Sequence, residues 1–392
     1  MRWRRVLLRS AVRLALLAAL VLAIWTAIAG PVTVLRVIRY GDTQIDDFLH
    51  YPYREMAASP SPYLFTAALH EGPLTVPLPA GGEGDLDALL ESSGTIALLV
   101  LKDDRLVLER YYQGHSADAR SQSFSMSKSI LSLLVGAALE DGLFQSLDQP
   151  VTDFIPELAG RGYERVTIAH LLSMTSGSAY VESDNPFGVH VILNYTPNVE
   201  ERLLRVGMEV GPGTVWRYKS GDNALLGLAL SRALAPRTLS EYMQERLWVP
   251  LGMEAPGLWS LDREGGLEKT WCCLAAVPRD FLRLGRLALR EGEWQGEQIL
   301  PAEWVRQSTQ VGRAAEAGWD EAYSAIGVRD YGYQWWLLSA EEGSYLANGK
   351  DGQFLYINPA RQAVILRLGW SMGEMPLSQW LALFDHLAAR EW

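Results

Sequence analysis

The stretch Ser123–Gly142 constrains this chain more than any other. From Ile130 onward nearly every position is apolar or small, which predicts a helix enclosed on almost all sides and ended at Gly142. Such a helix needs layers of structure around it. It nevertheless carries Lys128 in its first turn, three residues after Ser125. That spacing puts both side chains on one face, at the end where the helix dipole is positive. A serine hydroxyl needs a base in contact with it to act as a nucleophile. Lysine can be that base when burial and a positive helix end destabilise its ammonium. The competing arrangement has Ser125 capping the helix while Lys128 reaches the surface. Scarcity favours the first, because the chain holds only five lysines: Lys102, Lys128, Lys219, Lys269 and Lys350.

A length of 392 residues suffices for one large core or two lobes. The net charge of −11, with no basic stripe outside the N-terminus, argues against nucleic acid as a partner. Six scattered histidines form neither a His-Glu-x-x-His pattern nor a Cys/His cluster, so neither a metal site nor a cofactor is expected. Cys272 and Cys273 are adjacent and do not read as an ordinary structural disulfide.

Arginines at 2, 4, 5, 9 and 13 precede an uncharged run from Leu14 to Leu35, 22 residues long. About 20 apolar residues span a bilayer as a helix. We expect residues 1–39 to be a cytoplasmic stub and an uncleaved transmembrane anchor rather than a cleaved signal, because the apolar run continues past Ala27-Ile28-Ala29 through Val32, Val34 and Leu35. The arginine-rich end then stays in the cytoplasm, with the body on the other side of the membrane. Residues 40–90 read as a juxtamembrane lead-in broken by prolines and Gly81-Gly82. The main globular domain is expected over 91–392, with a mostly helical lobe at about 143–255.

Two apolar runs, Thr95–Leu101 and Leu106–Tyr112, flank Asp103-Asp104 and predict a β-hairpin just before the Ser125 helix. Short helical segments separated by Pro and Gly follow from Leu147. Tyr331–Trp336 reads as a strand, and further strands at Tyr345–Asn348, Gln353–Ile357 and Ala363–Leu368 complete an antiparallel sheet closed by the amphipathic stretch Leu377–Ala389. The expected class is α/β (α+β).

Ser125-x-x-Lys128, then Leu147-Asp148-Gln149-Pro150-Val151, then Thr167-Ile168 with Leu171-Leu172 and Thr175-Ser176-Gly177 occur in this order. The succession resembles the serine β-lactamase and penicillin-binding-protein superfamily, in its class C branch, which also contains esterases, D-amino-acid peptidases and 6-aminohexanoate-oligomer hydrolases. The resemblance spans roughly residues 90 to 390. It implies a β-lactamase-like fold and a second motif of Tyr-x-Asn or Tyr-x-Ser, matched by Tyr218-Lys219-Ser220. Tyr218 would relay the serine proton to the leaving group, given cations that draw its phenol toward the anion. Ser183-Asp184-Asn185 competes for that position but is followed by Pro186 and Gly188 and reads as a turn. The third motif is matched by Lys350-Asp351-Gly352, with Lys350 supplying positive potential and Gly352 letting substrate approach the backbone. The resemblance also implies an oxyanion hole built from the amides of Ser125 and Gln353.

Two departures narrow the chemistry. Asp351 stands where β-lactamases carry Thr or Ser, and its charge disfavours penicillin-like acids. Ser220 stands where their Asn contacts the acylamide. The expectation is a membrane-anchored serine hydrolase acting on a small amide or ester, with Ser125, Lys128, Tyr218 and Lys350 catalytic and Ser220, Asp351, Gly352 and Gln353 around the substrate. The alternatives are a non-catalytic penicillin-binding-like sensor or scaffold, and a D-amino-acid peptidase or β-lactamase. Gly369-Trp370-Ser371-Met372-Gly373 also spells a nucleophile elbow, but only Asp385 and His386 follow it, within one helix, so the match reads as accidental.

Overall fold

The structure, a computed structural model, describes residues 2–78, 81–314 and 317–392. Gly30 and Pro31 split the N-terminal apolar run into two helices, α1 (Arg2–Ala29) and α2 (Pro31–Tyr40). Pro31 takes a first helical position, where the missing N–H would have been unpaired anyway. Val6–Ala29 is long and apolar enough to cross a bilayer. The apolar run expected to continue that span through Leu35 does not do so. The break redirects it, and Val34 is buried beside Ile192 of the globular body.

Strands β1 (Tyr53–Met56) and β2 (Thr66–Ala67) come from the lead-in. Asp103 and Asp104 take positive φ values of 48° and 60°, as a two-residue type I′ turn requires, and join β3 (Thr95–Lys102) to β4 (Arg105–Tyr111) in the expected hairpin. Side chains alternate along β3. Ala97, Leu99 and Leu101 enter one core and Leu98 and Val100 a second, so both faces of the sheet are covered. A short strand, β5 (Ser121–Gln122), leads into α3 (Met126–Glu140), of which all but the last two residues are buried. Each buried Leu, Ile or Val there contributes about 1.5–3 kcal/mol.

Residues 143–255 add no strand to either sheet and include α4 (Ile168–Leu172), α5 (Val189–Tyr195) and α6 (Ser220–Leu234). The chain then returns through β6 (Gly257–Ser260), β7 (Leu274–Ala276) and α7 (Pro278–Leu289). Strands β8 (Asp330–Tyr331), β9 (Trp336–Leu337), β10 (Tyr345–Gly349), β11 (Gln353–Asn358) and β12 (Ala363–Gly369) and helix α8 (Leu377–Ala389) complete it. The large sheet runs β8-β9-β10-β11-β12-β3-β4-β2, and the small one β1-β6-β7-β5. All pairs in the two sheets are antiparallel except β2 with β4. Helix α7 covers one face of the large sheet and α8 the other.

The single strand expected over Tyr331–Trp336 is instead a tight hairpin. Gln334 turns the chain at φ 68°, and its amide donates to Leu172 O while its carbonyl accepts from Ser129 Oγ. This turn ties the sheet edge to α3 and α4.

Candidate active site

Phe124, a non-glycine at φ 44°, holds the bend from β5 into α3. A conformation of this kind costs of order 1–3 kcal/mol and persists where its surroundings enforce it. Ser125 follows at the helix N-cap, yet its side chain caps nothing. Lys128 is 1% exposed, and its Nζ donates to Ser125 Oγ at 2.7 Å and to Trp271 O at 2.8 Å. The capping and surface-reaching alternative is therefore not the one adopted. Burial drives the Lys128 ammonium down to about 8, against the opposing charge of Glu182.

Tyr218 lies just ahead of α6, with its ring stacked on Trp336 at 5.3 Å and 5.0 Å from Lys128 Nζ. Burial raises the phenol pKa, and the Glu182 charge adds to this. The neighbouring Ser125 hydroxyl favours the ionised phenol only weakly. The expected condition, a phenol drawn toward the anion by cations, is reversed by desolvation. The group stays a neutral donor.

Ser220 is occupied. Its hydroxyl donates to Glu182 Oε1 at 2.6 Å and its amide to Glu182 Oε2 at 2.7 Å. Burial alone would raise the Glu182 carboxyl, but His190, Lys128 and Ser220 bring it down to about 2. His190 Nδ1 is 3.4 Å from the same carboxylate and 2.9 Å from Tyr180 Oη. Glu182 and His190 were not singled out in the sequence. Their one signal was position, on either side of the Ser183–Gly188 turn. That turn forms as expected, with Phe187 N donating to Asn185 Oδ1 and Gly188 N to Asn185 O.

The third segment needs three corrections. Lys350 bonds its ammonium not to Ser125 but to Asp42 Oδ1 at 2.6 Å and Thr43 Oγ1 at 3.1 Å, so its charge is already matched. Gly352 does not leave room for substrate. At φ 77°, a Cβ on it would lie 2.3 Å from Arg367 Nη1. Gln353 N–H donates to Lys350 O, and Gln353 is fully buried with its side chain on Gly369, so its amide does not face the cleft. The backbone that meets the serine loop lies earlier. A Cβ on Gly349 would sit 2.4 Å from Ser123 O, which brings the end of β10 directly against the backbone that leads into Ser125. Asp351, at φ 60°, is half-buried beside Lys350 and has its carboxyl pKa raised by burial.

Ser125 and Lys350 line two cavities in common. One, about 330 Å³, includes Glu182, Asp184, His190, Lys269 and Trp271. The other, about 380 Å³, is walled by Tyr218, Tyr323, Ile326, Trp336, Phe354 and Leu377. Cys272 and Cys273 border the first and are joined to each other as a vicinal disulfide. Lys269 is buried over the Tyr51 ring at 3.9 Å, and burial takes its ammonium down to about 7. Ser371 donates to Ser93 O at 3.3 Å, while Asp385 accepts from Tyr356 Oη. These contacts engage the elbow-like serine and its candidate acid separately.

A family model described as Beta-lactamase matches residues 86–387. The chain belongs to the beta-lactamase family. This beta-lactamase-family chain is 30% identical over 298 residues to a 6-aminohexanoate-dimer hydrolase of Paenarthrobacter ureafaciens, covering 72% of this chain and 74% of that one. It is 29% identical over 154 residues to Esterase EstB of Burkholderia gladioli, covering 36% and 38% of the two chains. A Bacillus anthracis structure provisionally named 6-aminohexanoate-dimer hydrolase superposes with a TM-score of 0.73 at 22% identity, covering 86% and 90%. A class C beta-lactamase superposes at 0.57 with 15% identity, covering 78% and 94%. The family member described here is a serine hydrolase with a beta-lactamase-like fold.

Proposed function

We propose that this protein hydrolyses an amide or ester bond of a small substrate through an acyl-enzyme on Ser125. The observation that carries the reading is the buried Lys128 Nζ at 2.7 Å from Ser125 Oγ. In its neutral form Lys128 accepts the hydroxyl proton as Oγ bonds to the carbonyl carbon, and the C=O electron pair moves to oxygen. That oxyanion is held by the Ser125 amide, at the unpaired start of α3, and by the Lys350 amide next to Gly349. Collapse breaks the bond to the amine or alcohol, which leaves with a proton from Tyr218 Oη, replaced from Lys128. Water then gives a proton to Lys128 as its oxygen bonds to the acyl carbon, the Oγ–C bond breaks to release the acid, and Lys128 returns the proton to Ser125 Oγ. Asp351 places a carboxyl beside the second cavity, which disfavours penicillin-like acids there.

Helix α1 is assigned as an uncleaved anchor, with its arginine-rich end in the cytoplasm and the body on the extracytoplasmic side. A fluorophosphonate probe followed by peptide mass spectrometry tests the chemistry. Labelling is expected at Ser125 in the wild type and lost in Lys128→Ala. Equal labelling of both would remove lysine's role, and labelling at Ser371 would replace the site.

A further inference from the structure

The N-terminal helices do more than tether the body. Arg202 donates to Ile28 O at 2.9 Å and Ala29 O at 2.7 Å, clamping the end of α1 to the helical lobe. Trp25, in the last turns of the candidate span, packs its ring against Phe187 at 5.4 Å. With the span ending at Ala29, α2 starts at headgroup depth. One side of α2 is bound to the body, where Val34 is buried and Arg36 donates to Asp262 O at 2.9 Å and Tyr195 O at 3.2 Å. Its other side has no partner among the described residues. Val32, Leu35 and Ile38, spaced at three-residue intervals on one face, are 45%, 62% and 64% exposed. Phe187 beside Trp25 is a further 51% exposed. Arg39, also exposed, supplies a cation at the level of lipid phosphates.

The chain leaves α2 directly into the catalytic cleft. Gly41 O accepts from Tyr195 Oη at 2.5 Å, Asp42 holds Lys350, and Thr43 lines the cavity containing Ser125. A further cavity of about 450 Å³ reaches back to Val37 of α2. It shares Thr43, Asp184, His190, Asn194 and Lys350 with the Ser125 cavity, so the two adjoin.

We propose that the exposed face of α2 lies in the interface of the anchoring bilayer and opens the cleft onto it, so that the enzyme draws acyl esters or amides of membrane-resident amphiphiles. The occupant of the apolar face is the lipid surface itself, because the helix that carries it begins two residues after the candidate span ends. An amphipathic helix held in that plane buries its apolar side at the headgroup and acyl boundary. The aromatic cavity on the other side of Ser125 receives the acyl chain. The inference rests on the anchor and hydrolase readings above, and its test separates from both.

The full chain carrying Ile38→Cys, labelled with an environment-sensitive fluorophore, is reconstituted in vesicles of phosphatidylcholine and phosphatidylglycerol under non-reducing conditions. Blue-shifted emission quenched by spin-labelled lipid is expected. Water-like emission overturns the docking, and so does blue-shifted emission that spin-labelled lipid leaves unquenched, which would mean a second protein copy covers the face. In parallel, the Leu35→Glu/Ile38→Glu double variant is assayed on a short water-soluble ester and on a long-chain ester held in the vesicles. Turnover of the soluble ester should stay near wild type while that of the vesicle-held ester falls about tenfold. Equal loss on both, or loss on neither, refutes entry from the membrane. A wild type inactive on both esters refutes the hydrolase reading, and the quenching result still decides where α2 lies.

Discussion

Replacing Lys128 with alanine removes the group proposed above to activate Ser125, and the burial of that lysine sets the size of the expected effect. Burial brings the Lys128 ammonium from 10.5 to about 8. At pH 7 roughly one molecule in ten then holds a neutral lysine, against about one in three thousand at the ordinary value. That gain of roughly 300-fold in competent base corresponds to about 3 kcal/mol. Its consequence is a wild-type kcat/KM on a p-nitrophenyl ester that rises with pH and levels off near 8. Lys128→Ala should lower kcat/KM by about 10²–10⁴ and abolish that inflection. An inflection near 8 that survives in Lys128→Ala would assign it to another group, and a profile flat through that region in the wild type would refute the buried base.

Glu182→Gln keeps an acceptor for Ser220 and deletes the charge that supports the Lys128 ammonium. The midpoint of the activity profile should therefore move below that of the wild type. An unchanged midpoint would sever that coupling. Tyr218→Phe should reduce kcat by about 10²-fold with KM little changed, because the phenol acts on the leaving group and not on binding. A raised KM at constant kcat would make it a binding residue. Lys128 and Lys269 both have pKa values lowered on folding, so the unfolded chain binds more protons than the native one between about 7 and 10.5. The penalty is fully present below about 7 and fades as pH rises, so the melting temperature should climb over that window. A combined Lys128→Met/Lys269→Met variant should be flatter there. Asp42→Ala frees the Lys350 ammonium and should lower KM for esters bearing a carboxylate while leaving kcat unchanged, as measured against a neutral ester of the same length.

The Ser125 and Lys128 pair was legible because it is local. Three residues of helix fix their separation wherever that helix lies, and the apolar run behind them announces burial. The β3–β4 hairpin was legible for the same reason, since its apolar runs and its polar turn are contiguous. The order of the three family motifs carried Tyr218 to its place. The Lys350–Gln353 segment was misjudged because one short turn decides which amide faces the cleft. The Gly349↔Gln353 pairing and the Arg367 guanidinium against Gly352 set that turn, and neither is visible in the tripeptide. Glu182, His190 and the Trp271 carbonyl come from segments distant in sequence and without periodicity, so nothing in the one-dimensional pattern ties them to Ser125.

The amino-acid order alone determined a buried helix with a lysine one turn from a serine, an N-terminal stretch fit for a bilayer, and an α/β body, because each depends on neighbours within a few residues. The tertiary structure decided which charges surround that lysine, which groups Lys350 pairs with, and that the helix following the candidate span ends at the rim of the cleft. Those outcomes depend on contacts between segments far apart in the chain, which only packing brings together.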